Sequence, residues 1–79
     1  MQVTVVLFGP YADLLPPGSE AGRATVDVAE GTTVATLLDQ LGVPGEGRRY
    51  VTVDGRRAEP TAALSRGAEV RVIVPLAGG

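Results

Sequence analysis

Residues 33–44, TVATLLDQLGVP, carry the strongest local signal in the chain. Val34, Leu37, Leu38 and Leu41 recur at i, i+3, i+4 and i+7, which is one face of an α-helix. Thr33 stands where an N-cap is wanted, and its hydroxyl can accept an orphan backbone N–H. The capping box is incomplete, because Thr36 rather than Glu lies three residues on. Gly42 suits the C′ position and Pro44 forbids continuation. The spacing therefore predicts a helix over 34–41. A helix this short is not stable by itself. Its leucine stripe must cover something, and the flanking segments say what.

Upstream, residues 2–8, QVTVVLF, read as a strand. Val3, Val5 and Leu7 fall on one face at period two, and Val6 and Phe8 on the other. Gly9-Pro10 breaks it. Residues 11–15 read as a short helical turn, ended by Pro16-Pro17-Gly18, and 18–23 as a loop. Residues 24–28 read as a second strand, with Val26 and Val28 alternating against Asp27. Downstream, 45–49 form a polar loop and 50–53 a third strand. Asp54-Gly55 is a two-residue hairpin signal, and a short fourth strand starts at Arg56. Residues 60–67 hold a turn in which Leu64 points to the core and Arg66-Gly67 reverse the chain. Residues 69–75 are the last strand: Val70, Val72 and Val74 face one way, Arg71 and Ile73 the other. Pro75 lacks an N–H, so pairing fades there.

The order is strand, strand, helix, strand, short strand, strand. A first hairpin leads through the helix back into the same sheet, and the final strand lies centrally beside the first. That is the β-grasp, or ubiquitin-like, topology: an α+β fold with a mixed four- to five-stranded sheet and one main helix packed on one face. The chain of 79 residues is read as one domain, 1–79, with 75–79 a flexible C-terminal tail.

Composition narrows the chemistry. Lysine, cysteine and histidine are all absent. That removes the ε-amine, the thiolate, disulfides, cysteine–zinc sites and the usual general base near neutral pH. The seven arginines are dispersed, without interleaved aromatics, and the formal net charge is -2. Nucleic acid is thus not an expected partner. Asp13, Asp27, Asp39, Glu30, Glu46 and Glu59 show no pairing suited to metal or acid–base work. No metal and no bound cofactor is expected. No leader pattern and no membrane-length apolar run is present, so a soluble cytoplasmic protein is expected.

What remains is the end of the chain. After Pro75 come Leu76, Ala77, Gly78 and Gly79. Two glycines without Cβ can pass through a channel where any side chain would clash. They end in a carboxylate, which is ionised at pH 7. A carboxylate is a poor acyl donor until activated, and ATP in a partner enzyme can supply that activation as an acyl-adenylate. A carrier used in this way needs no catalytic side chain of its own.

The sequence resembles the sulfur-carrier family of β-grasp proteins that includes the molybdopterin synthase small subunit and the thiamine-biosynthesis sulfur carrier. The resemblance covers essentially the whole chain. It is densest at Gly31-Thr32-Thr33-Val34 with Leu37-Leu38, at Val53-Asp54-Gly55, at Leu64 with Gly67, at Glu69-Val70 and at Pro75-Leu76-Ala77-Gly78-Gly79. It implies that Gly79 is adenylated by a ubiquitin-activating-like enzyme using ATP and converted to a thiocarboxylate by a sulfur donor protein. Gly78 is then the tail glycine that threads with it. The implied acceptor is an enzyme such as a molybdopterin synthase large subunit, which makes molybdopterin synthesis the leading pathway. Carriers for thiamine, cysteine, tRNA thiolation or specialised metabolites share such tails. A ubiquitin-like modifier and a β-grasp binding module are the rival readings. Two departures stand out: Asp54 replaces the usual Asn before the hairpin Gly, and Ala68 replaces the usual Asp before Glu69.

The second face of the sheet is expected to contact partners. Val6, Phe8 and Ile73 would line it, with Arg71 as a charged anchor. Pro75, Leu76 and Ala77 would extend that contact along the tail. Arg48-Arg49 and Arg56-Arg57 are read as solvated charge around the third strand.

Overall fold

In the computed structural model, residues 1–15, 22–43 and 50–73 are described. Strand β1 is Gln2–Leu7, followed by a 3-10 helix Gly9–Leu14 and β2 Arg23–Asp27. Helix α1 is Val34–Leu41, and β3 Tyr50–Val53, β4 Arg56–Arg57 and β5 Glu69–Ile73 complete the sheet. The strand order is β2-β1-β5-β3-β4, with β1 and β5 parallel and the other pairs antiparallel. This is the mixed β-grasp sheet that the sequence predicts, with the last strand at its centre.

Helix α1 has the predicted bounds, and its first-turn N–H groups are all satisfied. Val34 donates to the Ala62 carbonyl, Ala35 to Pro60, and Leu37 to Thr33, at 2.9–3.0 Å. The Thr36 N–H donates to the Thr33 hydroxyl at 3.2 Å. At the other end Gly42 is left-handed (φ 83°), its N–H donates to Asp39, and the Val43 N–H donates to Leu38. These bonds close a Schellman motif that a residue with a Cβ would strain. The helix is tied at its start to the 58–65 loop and stopped at its end by backbone geometry.

Val34, Leu37 and Leu38 form one cluster with Val3, Val5, Leu7, Val51, Val70 and Val72. Leu64 plugs the same cluster, as expected. Each fully buried aliphatic side chain of this kind contributes about 1.5–3 kcal/mol. The core is aliphatic, and Tyr11 packs only at its margin.

Two strands shift their bounds. β1 ends at Leu7 rather than Phe8, because the 3-10 helix starts at Gly9 and takes Phe8 as its extended N-cap. β2 starts at Arg23 and ends at Asp27, so Val28 turns into the core after the strand. β5 pairs through Ile73, and the expected continuation to Pro75 lies outside the described residues.

Candidate functional site

The helix covers one face of the sheet, so the other face is built by the alternate residues of each strand. Register places Arg23, Val6, Arg71, Thr52 and Arg57 in one row across all five strands. Thr25, Thr4 and Glu69 form the neighbouring row on one side. Ile73 and Tyr50 form the row on the other, at the end of β5 from which the chain continues. Phe8 follows β1 with extended backbone toward that same end and is 44% exposed.

Glu69 organises this face. The Arg71 Nε donates to its Oε1 at 2.7 Å and the Arg23 Nη1 to its Oε2 at 3.1 Å. These bonds, that from Arg71 first, hold the Glu69 carboxyl below its ordinary value of 4.5. Both arginines remain about half exposed. Arg57 lies 5.1 Å from the Tyr50 ring centroid, a cation–π contact at the far edge. The result is a face with three arginines, two of them bonded to Glu69, Asp27 at its β2 edge, and Phe8, Ile73 and Tyr50 at one end.

Val6 departs from its predicted role. It is 5% exposed, so it does not line an open apolar patch. Arg23 on β2 reaches Glu69 on β5, and β1 lies between those strands. The ion pair therefore spans β1 beside Val6, the register partner of Arg23, and long cationic side chains can cover apolar surface in such a position. Phe8, half-buried Ile73 and exposed Arg71 keep the surface positions expected of them. Arg57, read as solvated charge, also lies on that face, and Tyr50, Thr52 and Arg23 share it without having been singled out. Tyr50 and Thr52 alternate with Val51 in the sequence, which is the signal that would have found them.

Ala68 is 2% exposed and its carbonyl accepts from the Thr4 N–H at 2.8 Å. That side chain packs in the core and does not face a partner. Asp54 has a second role beyond the turn: its Oδ1 accepts from the Glu69 N–H at 2.9 Å, while its own N–H donates to the Glu69 carbonyl. With φ at 52°, Asp54 adopts the left-handed geometry a type I′ hairpin requires. Arg56 and Arg57 lie exposed on the edge strand, whereas Arg48 and Arg49 lie outside the described residues.

A groove of about 570 Å³ lies between α1 and the β3–β4 hairpin, lined by Val34, Leu38, Val43, Val51, Arg57 and Pro60 among others. Its acidic members, Asp39 and Glu59, are exposed. Among the described residues no three acidic side chains converge as metal ligands, and no helix is long and apolar enough to cross a membrane. Pro75, Leu76, Ala77, Gly78 and Gly79 lie outside the described residues. The described part of the central strand runs to Ile73.

The ThiS family profile matches residues 5–79, from the first strand to the final glycine. The chain belongs to the ThiS family. That is the β-grasp sulfur-carrier family which the sequence resembles. The fold is also that of solved structures. SAMP1 from Haloferax volcanii superposes with a TM-score of 0.77 over 100% of both chains at 24% identity. A second structure of H. volcanii small archaeal modifier protein 1 gives 0.74 at 22% identity, over 95% of this chain and 98% of that one. A Pyrococcus furiosus protein described as molybdopterin converting factor, subunit 1, gives 0.71 at 22% identity with the same coverage. No curated protein matches the sequence significantly.

Proposed function

We propose that this ThiS-family chain carries sulfur as a thiocarboxylate on Gly79, and that molybdopterin synthesis is the pathway it serves. The observation that carries this reading is the family match running through Gly79. A rigid strand delivers the thread, and the absence of Lys, Cys and His leaves the carboxylate as the group to be worked on. Likeness of fold to a protein described as a molybdopterin converting factor subunit supports the pathway.

In the proposed sequence a Gly79 carboxylate oxygen attacks the α-phosphorus of ATP within an adenylating partner. Pyrophosphate leaves and an acyl-adenylate forms. A donor persulfide then attacks the acyl carbon and AMP departs. A second thiol of the donor cleaves the resulting acyl disulfide, so the donor is oxidised to a disulfide and the carrier is left as a thiocarboxylate. An acceptor enzyme, such as a molybdopterin synthase large subunit, receives the tail and passes the sulfur to its precursor. The face bearing Phe8, Ile73, Arg71 and Tyr50 docks on these partners, beside the start of the tail. Pro75, Leu76 and Ala77 extend the contact, and Gly78 threads the channel. Its arginines favour partners with an acidic surface.

The test is the intact mass of the chain recovered from its native cell. A gain equal to the difference between sulfur and oxygen supports the carrier reading. The two SAMP1 structures favour a second reading, joining of Gly79 to a target lysine. High-mass adducts that survive reduction would establish that instead. Deletion of Gly79 should abolish either product and leave the fold intact; a silent deletion would reduce the chain to a passive binding module.

A further inference from the structure

β2 is one of the two outer strands of the sheet, and the register decides which of its backbone groups are used. Met1 and Val28 exchange both hydrogen bonds at 2.8 Å, and the Leu7 N–H donates to the Gly22 carbonyl at 2.7 Å. Antiparallel pairs alternate between bonded and non-bonded positions. Val26 and Ala24 therefore direct their N–H and C=O groups to β1. Arg23, Thr25 and Asp27 direct theirs outward, and among the described residues no strand pairs with that edge. A bare edge of this kind is a template for another strand.

The side chains on this edge are self-complementary. Arg23, Thr25 and Asp27 are all exposed and lie on the face opposite the helix. Placed antiparallel to a copy of itself about Thr25, the segment sets Arg23 against Asp27 of the second copy, and Asp27 against its Arg23. Those residues are the ones whose backbone groups point outward, so charge pairing and hydrogen bonding share one register. On the helix side, half-buried Ala24 and Val26 meet as an apolar cross-strand pair. A parallel arrangement would oppose like charges, and a two-residue slip would lose both ion pairs.

We propose that β2 pairs with β2 of a second copy of this chain, antiparallel and centred on Thr25, joining two sheets into one. On pairing, the exposed Arg23 side chain swings from Glu69, which keeps its bond from Arg71, outward to Asp27 of the second copy. The two-fold relation sends the Ile73 ends of β5 in opposite directions, so both remain accessible. The dimer does not depend on the chemistry proposed for Gly79, and its test involves no activating enzyme.

Sedimentation equilibrium of the full chain from about 1 μM to about 1 mM reads the association. The expected mass rises from 8.1 kDa toward twice that value. Thr25→Pro removes an outward N–H without touching the β1 ladder, a position an edge strand tolerates. It should weaken the dimer at least about a hundredfold. Arg23→Asp and Asp27→Arg should each be monomeric alone and should dimerise when mixed in equal amounts. A wild-type chain that stays monomeric throughout overturns the proposal, and would leave the edge to an extended segment of another protein. A dimer that survives Thr25→Pro, or charge variants that do not recombine, overturns it as well.

Discussion

Arg23 and Glu69 stand on strands that are not neighbours, and their 3.1 Å ion pair crosses β1 to connect them. The bridge spans the strand that carries buried Val6 and leaves Arg71 sharing the same carboxylate. It links the sheet face proposed for docking to the edge proposed for self-pairing.

Glu69 should make stability depend on pH in acid. Its folded value lies below 4.5, so its contribution is fully present above that pH and is lost as the pH falls through the folded value. Urea denaturation should show wild type more stable than Glu69→Gln at pH 7, with the gap closing well below pH 4.5. A gap of constant size would mean that the bridge is not the cause.

Val6 and Phe8 should separate cleanly. Val6→Ala removes buried surface and should cost about 1–2 kcal/mol in urea denaturation. Phe8→Ala removes an exposed ring and should change stability by no more than about 0.5 kcal/mol. Equal costs would contradict the shielding of Val6.

Gly22 and Gly31 both have positive φ but differ in surroundings. A Cβ at Gly22 would overlap the Leu7 carbonyl oxygen, whereas one at Gly31 meets nothing within 4 Å. Gly31→Ala should cost about 1 kcal/mol for backbone strain alone, and Gly22→Ala at least about 2 kcal/mol. Thermal melts of the two variants check the order.

Thr33 is the cap whose hydroxyl serves the Thr36 N–H. Thr33→Ala should cost about 1 kcal/mol, and Thr33→Ser most of nothing, in the same melts.

Docking through the open face should appear as a KM effect. Arg71→Glu and Ile73→Ala should each raise KM for the carrier in an adenylation assay by about tenfold or more. With kcat unchanged, the loss lies in binding rather than in presentation of the tail. Unaltered KM in both variants would remove this face from the encounter.

Much of the fold was legible because its signals are local. The Val34, Leu37, Leu38, Leu41 spacing, the Thr33 and Gly42 caps and the Asp54-Gly55 turn each act within a few residues. The two-layer packing followed from one apolar helix stripe and one apolar strand face. The candidate site was less legible. Phe8, Ile73 and Arg71 were reached by alternation along single strands. Arg23 joins them only through pairings between strands distant in sequence, and Arg57 only through the hairpin register with Thr52.

By itself, then, the sequence determined the element order, the helix and its ends, and the aliphatic core. Periodicity and capping are properties of neighbouring residues, and they survive without knowledge of the rest. Only the tertiary structure decided that Val6 is covered, that Glu69 holds two arginines and that β2 presents Arg23, Thr25 and Asp27 outward. Each of those depends on strand register, which is set by contacts between residues as far apart as Arg23 and Glu69.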